Sequence, residues 1–134
     1  MNFVLLRSDQ IDGVWPQLAE GMAESCKATG GNMTAGWLWQ ECRSGHAFLI
    51  IGHEADAVKV GLVVQFQTLG GEPILRGLGL CGQGFRDWAI GLADFLRQIA
   101  KSGGAQWFID DGRPGMSRLV PGAEVVSITY RVKV

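Results

Sequence analysis

Residues 74–109 constrain the fold more than any other stretch of this chain. Ile74-Leu75-Arg76-Gly77-Leu78-Gly79-Leu80 reads as a strand, and Cys81-Gly82-Gln83-Gly84 after it is a glycine-dense loop. The spacing predicts a helix over residues 85–101. Phe85, Trp88, Ala89, Leu92, Leu96 and Ile99 recur at three- and four-residue steps, while Arg86, Asp87, Asp94, Arg97 and Gln98 fall elsewhere. Lys101 followed by Ser102-Gly103-Gly104 is a stop signal, a cation in the last turn and then glycine. Ala105-Gln106-Trp107-Phe108-Ile109 follows as a second buried strand. Strand, turn, helix and strand in this order make a parallel β-α-β unit, whose helix N-terminus offers unpaired N–H groups to an anion. Under period-two alternation Leu75, Gly77, Gly79 and Cys81 share one nearly bare face, against which a helix or a thin ligand packs closely. Gly91, at about 1 kcal/mol against alanine inside a helix, marks another close approach.

The rest of the chain is arranged around that unit. Phe3 to Arg7 is a short apolar strand; Ser8-Asp9-Gln10 supplies caps for a helix whose buried face carries Ile11, Trp15, Leu18, Met22 and Cys26. Pro16 requires that this helix begin close to it, and Thr29-Gly30-Gly31 ends it. Thr34 caps a shorter helix over residues 35–43 with Trp37, Leu38 and Cys42 on its apolar side, and Ser44-Gly45 stops it. Ala47-Phe48-Leu49-Ile50-Ile51 is a strand covered on both faces. A turn over residues 53–57 leads to an alternating strand over residues 59–68, and Leu69-Gly70-Gly71-Glu72-Pro73 makes the next hairpin. Beyond the crossover lie Asp110-Asp111-Gly112-Arg113-Pro114-Gly115 and a helical turn around residues 116–120. A terminal strand over residues 124–134 is expected to set Val126, Ile128, Tyr130, Val132 and Val134 on one packed face. The predicted order is β-α-α-β-β-β-α-β-α-β, an α/β (α+β) domain with a mixed central sheet. Residues 1–134 form it as a single domain, with no repeat or linker.

Composition narrows the function classes. A formal charge of −1 gives no concentrated basic patch for nucleic-acid phosphates. No run of 18 apolar residues exists to span a membrane, and the N-terminus reads as a strand rather than a leader. The three cysteines, Cys26, Cys42 and Cys81, are odd in number and widely spaced. They make neither a disulfide framework nor a zinc pattern, and they suit a reducing cytoplasm. His46 and His53 lack a third ligand at metal spacing, so no metal is expected.

The element order resembles that of the GNAT acyltransferase fold over nearly the whole chain, and in particular the short GNAT-like proteins of tailed phages and prophages. The likeness is carried by Gly82-Gln83-Gly84-Phe85-Arg86-Asp87-Trp88, Ala100-Lys101-Ser102-Gly103-Gly104, Gly112-Arg113-Pro114-Gly115-Met116 and Gly122. It implies a V-shaped gap between the fourth and fifth strands in which acetyl-CoA or CoA would lie. The cofactor-binding residues it implies are Cys81, Gly82, Gln83, Gly84, Phe85 and Arg86. The family's pyrophosphate loop, Gln/Arg-x-x-Gly-x-Gly/Ala, is approached by Arg76-Gly77-Leu78-Gly79-Leu80-Cys81. That register would start the helix near Gly79 and bury Gly82 and Gly84 in its first turns, so a start near Phe85 is preferred and the motif is then not intact. Family members commonly carry a tyrosine general acid on the last helix, where this chain has Ser117-Arg118-Leu119-Val120.

The residues leave several roles open. Arg86 would favour a pyrophosphate, whereas Asp87 in the same turn would oppose one. Glu54, His53 and Glu72 fall at hairpin tips, Cys81 sits near a helix start, and Asp110-Asp111 follows a buried strand where open sheets place ligands or turns find caps. No catalytic residue is assigned. Three functions remain. One is a degenerate phage- or prophage-encoded GNAT-fold protein, virion-associated or acting on a host protein. The second is an acetyl-CoA-dependent N-acetyltransferase with a divergent loop. The third is a homodimeric interaction module paired through an edge strand.

Overall fold

A computed structural model describes residues 1–29, 32–112 and 115–134, with Met116 and Ser117 described by backbone alone. Strands β1 (Asn2–Leu5), β2 (Phe48–Glu54), β3 (Ala57–Leu69), β4 (Glu72–Gly82) and β5 (Trp107–Asp110) form one five-stranded sheet in the order β1-β2-β3-β4-β5. The first four strands run antiparallel, and β5 lies parallel to β4. Helices α1 (Ile11–Ala28) and α2 (Ala35–Ser44) cover one face, and α3 (Phe85–Ser102) covers the other. This is the expected α+β arrangement, and the crossover from β4 through α3 to β5 is present.

Two apolar clusters form the core, one on each side of the sheet. On the first side Ile11, Trp15, Leu18, Met22 and Cys26 of α1 and Leu38 and Cys42 of α2 meet Leu49, Ile51, Val63 and Leu78. On the second, Trp88, Leu92, Leu96 and Ala100 of α3 meet Ile50, Val60, Leu62, Val64 and Leu75. The helix ends follow their sequence signals. The Thr34 hydroxyl accepts from the Trp37 N–H at 3.1 Å, and Gly45 closes α2 at φ 81°. Pro16 lies well inside α1, which begins at Ile11 after a 3-10 turn (Ser8–Gln10), so the start is earlier than the proline alone would set. Gly30 and Gly31 lie outside the described residues, as do Arg113 and Pro114.

The two central strands contain the main departure from simple alternation. Val63 pairs with Gly79 and Val64 with Gly77, so Leu78 is an extra residue, a β-bulge. Leu75, Gly77, Gly79 and Cys81 therefore do not share a face. Leu75 and Gly77 look toward α3, whereas Gly79 and Cys81 look toward α1. A Cβ on Gly79 would lie 2.9 Å from Leu38 Cδ1 and 3.3 Å from Met22 Sδ, so helical side chains fill the bare surface there. Strand β4 also runs two residues further than expected, through Cys81 and Gly82, and leaves a loop of only Gln83 and Gly84. Gly91 meets only the Phe3 ring, at the ordinary contact distance of 3.4 Å, rather than another backbone.

The terminal segment differs most from expectation. Residues 123–134 are in no strand, and their apolar side chains are exposed, Tyr130 by 84%. A strand needs a neighbouring edge, and within the described residues this one is paired with none.

Leu38 is fully buried over Gly79. Replacement Leu38→Ala is expected to lower the unfolding free energy by about 2–5 kcal/mol in urea titrations followed by circular dichroism. A loss below about 1 kcal/mol would mean that α2 does not pack there.

Candidate functional site

The β4–β5 ladder is short. Ile74, Leu75, Arg76 and Gly77 pair with Trp107, Phe108, Ile109 and Asp110, and there β5 ends while β4 continues to Gly82. The outer edge of β4 from Leu78 onward thus faces a gap, because a strand lacking its neighbour leaves main-chain groups unpaired. A cleft of about 230 Å³ occupies that gap. Ser25, Ala28, Thr29 and Met33 line it on the α1 side, and Phe85 and Trp88 on the α3 side. Gly77, Leu78, Gly79, Leu80 and Gly82 form its strand wall, opposite Asp110, Asp111 and Gly112.

At the mouth of the cleft the chain turns from β4 into α3 through two glycines with positive φ, Gly82 at 142° and Gly84 at 71°. Neither bears a side chain; of the first N–H groups of α3, that of Asp87 is taken by the Gly84 carbonyl at 2.8 Å, and those of Phe85 and Arg86 have no acceptor one turn back within the helix. The turn is braced from within. Trp88 Nε1 donates to the Gln83 carbonyl at 2.7 Å, and the Phe85 and Trp88 rings meet edge-on with centroids 4.9 Å apart. Asp87 also reaches toward the turn, its Oδ2 3.2 Å from where a Cβ on Gly84 would stand. Arg86 is exposed in the same turn.

Of the six residues implied for cofactor binding, Gly82, Gln83, Gly84, Phe85 and Arg86 are contiguous at this mouth. Cys81 points away from it, with its Sγ 4.0 Å from the Leu18 carbonyl and packed against Gly21 of α1. Burial pushes its thiol pKa up, so it is not a helix-activated thiolate. His53, Glu54 and Glu72 sit at the ends of hairpin strands, away from the cleft, as expected. Trp39, off the main face of α2, donates from Nε1 to Asp12 at 2.9 Å and lies under the Arg43 guanidinium, which joins α1 to α2.

Two cleft residues were not singled out by sequence reasoning as a pair across the gap. Ser25 Oγ accepts from the Leu80 N–H at 3.3 Å, occupying one position along the open edge of β4. Asp110, the last residue of β5, stands opposite Gly77. Its outer side meets solvent, but Oδ1 lies 2.7 Å from the place of a Gly77 Cβ, and Phe108 closes in from below. Burial, and secondarily the Asp111 carboxylate, raises its pKa to about 6, while the Asp111 N–H and Arg76 act the other way. Arg76 Nη2 holds Asp111 at 3.1 Å, so of the two carboxylates that line the cleft Asp111 is the ion-paired one and Asp110 the one set against Gly77. The sequence left Asp110-Asp111 open between a ligand end of the sheet and a turn cap; the glycine opposite makes room for the first carboxyl.

No protein-family pattern and no curated sequence matches the chain. Solved structures do match, end to end. A ribosomal-protein-alanine N-acetyltransferase from Brucella melitensis superposes with a TM-score of 0.64 at 11% identity, covering 98% of this chain and 100% of that one. A GCN5-related N-acetyltransferase from Ralstonia eutropha gives 0.65 at 12% identity, covering 98% and 97%. An aminoglycoside acetyltransferase from an uncultured soil metagenomic sample, solved in complex with sisomicin, gives 0.64 at 14% identity, covering 98% and 96%. The chain has the GNAT fold. Identities this low speak for architecture, and the chemistry has to be argued from the cleft.

The raised pKa of Asp110 has a definite linkage sign. The native state binds its proton more tightly than the unfolded chain, so this stabilisation is full below the ordinary carboxylate value of 3.8 and lost as pH rises through about 6. Asp110→Asn is therefore expected to raise the Tm at pH 7 and to change it little at pH 3. Carbon-detected NMR of the wild-type carboxyls should show one aspartate titrating near pH 6, shifted downward in Asp111→Asn.

Proposed function

We propose that this chain is an acyl-CoA-dependent N-acyltransferase, with acetyl-CoA as its first candidate donor. The observation that carries the reading is the early end of β5 at Asp110, which opens a cleft beside bare strand edge and beside a helix start turned by two glycines. The residues fit the donor in two places. Gly82, Gln83, Gly84, Phe85 and Arg86, with Cys81 contributing main chain only, would hold the pyrophosphate through helix N–H groups and the Arg86 charge. The free edge of β4 would take the amides of the pantetheine arm as an added strand takes a partner. When bound, the donor supplies an activated thioester carbonyl.

The chain's own work centres on Asp110. Its pKa near 6 leaves it ionised at pH 7 yet basic enough to accept a proton at Oδ from an incoming ammonium or through one water. Arg76 keeps the neighbouring Asp111 carboxyl engaged, so of the two carboxylates lining the cleft Asp110 is the one without an ion-pair partner. Ser25, on the other wall, offers its hydroxyl hydrogen to whatever lies along β4 while its oxygen holds the Leu80 N–H. Phe85 and Trp88 give the gap an apolar wall on the α3 side.

In a second reading the chain is a GNAT-fold protein that has lost catalysis, as a phage- or prophage-encoded protein with a virion or host-protein contact would; two features favour the loss of catalysis. Asp87 stands over the helix start, and no tyrosine follows in the turn at Met116–Leu119.

Calorimetric titration with acetyl-CoA and with CoA separates the two. Micromolar binding is expected, weakened roughly tenfold by Arg86→Glu, which corresponds to about 1.4 kcal/mol. Asp110→Asn is expected to keep that affinity while abolishing thiol release from acetyl-CoA in the presence of amine acceptors. Absence of heat at millimolar ligand would overturn the acyltransferase reading and leave the second one.

A further inference from the structure

In the first turn of α3 two exposed side chains of opposite sign, Arg86 and Asp87, stand at the mouth of the cleft. Among the described residues neither has an ion-pair partner. Asp87 reaches back over the helix start, its Oδ2 3.2 Å from the place of a Gly84 Cβ. On the neighbouring strand Lys59 meets the turn with its carbonyl, 2.9 Å from the place of a Gly82 Cβ. Across the cleft Arg76 is engaged by Asp111 at 3.1 Å. Asp87 is thus a carboxylate set beside an anion seat, with no ion-paired cation among the described residues to neutralise it.

Charge limits what such a seat can hold. The positive end of a helix is worth about half an elementary charge. Arg86 adds one charge and Asp87 removes one, so the turn attracts a single negative charge and not a pair. The helix N–H groups agree with that count. The Asp87 N–H is taken by the Gly84 carbonyl at 2.8 Å, and those of Phe85 and Arg86 remain, a pair that suits the oxygens of one phosphate. Coenzyme A carries two linked phosphates at the end of its pantetheine arm, and the second adds a charge that Asp87 repels. The arm itself is uncharged and escapes that penalty along the open edge of β4 beyond Gly77. Specificity is a difference of affinities, and a repulsive group can set it as well as an attractive one.

We propose that Asp87 sets the donor specificity of this cleft, making it accept thioesters whose pantetheine arm ends in a single phosphodiester as readily as acetyl-CoA. This rests on the acyltransferase reading and narrows its donor. Such an arm has two sources, a small phosphodiester or the phosphoserine linkage of a carrier protein, and the chemistry at the turn is the same for both. Arg86 then supports any phosphate at the helix start, and Asp87 ranks them by charge.

Calorimetry on the whole chain tests this with acetyl-CoA and with the methyl phosphodiester of S-acetyl-4′-phosphopantetheine. The two are expected to bind within about fivefold of one another, although the second lacks the entire nucleotide. Asp87→Asn keeps the size of an exposed side chain, and its far-ultraviolet spectrum is expected to match the wild type. It should tighten acetyl-CoA roughly tenfold and the phosphodiester roughly threefold or less. The same arm on the serine of an acyl carrier protein then distinguishes the sources. Tighter binding than the small diester assigns a carrier, weaker binding assigns the free thioester, and either supports the proposal. A larger preference of the wild type for acetyl-CoA, or an Asp87→Asn variant that shifts both donors by one factor or shifts neither, would overturn it while leaving the acyltransferase reading in place. Failure of every thioester to bind either protein would overturn both.

Discussion

The antiparallel ladder between β3 and β4, with Leu78 bulged out of it, is what the rest of the structure depends on. A bulge inserts one residue into one strand and reverses which side chains face which layer beyond it. Here it sets Gly77 against Phe108 and Asp110 of β5 and Gly79 against Met22 of α1 and Leu38 of α2, so different neighbours approach β4 closely at the two positions. Gly61 on β3 does the same for Leu18 and Met22, whose atoms come within 2.8–3.2 Å of its absent Cβ. The result is a central strand that pairs large core residues, Leu75, Leu78 and Leu80, with bare positions at 77 and 79 that neighbouring side chains fill.

That thin strand is also why the cleft has room for a carboxyl. At Gly77 the missing side chain is replaced by Asp110 reaching across from β5, and at Leu80 the open strand edge is met by Ser25 from α1. Packing against Gly77 and Phe108 takes the Asp110 carboxyl partly out of water and raises its pKa, while Arg76 holds Asp111. Packing and electrostatics at this site thus have one origin, the run of small residues in β4.

Much of this was written in the sequence, and what was not has a physical reason. The period of α3 was explicit because Trp88, Leu92 and Leu96 are large and regularly spaced, and its start at Phe85 followed from the cost of helical glycines at 82 and 84. The bulge was invisible because glycine carries no side chain whose wrong facing would betray a register shift. The seat of the Asp110 carboxyl depends on a glycine 33 positions earlier, and the Ser25–Leu80 bond joins residues 55 apart, so neither leaves a local signature. The segment at 123–134 was read correctly as strand-forming in pattern but not in outcome, because pattern specifies a face and not the neighbour that covers it.

The sheet lies between two apolar clusters that share no residue, one under α1 and α2 and the other under α3. It acts as a partition between two compartments. Volume changes in one compartment reach the other only through the strand backbones, which move far less readily than side chains. Sequence drift can therefore proceed on the α1–α2 side, where Ser25, Ala28 and Thr29 line the cleft, while the α3 side keeps its packing. A scaffold divided in this way can change what it recognises without rebuilding how it stands.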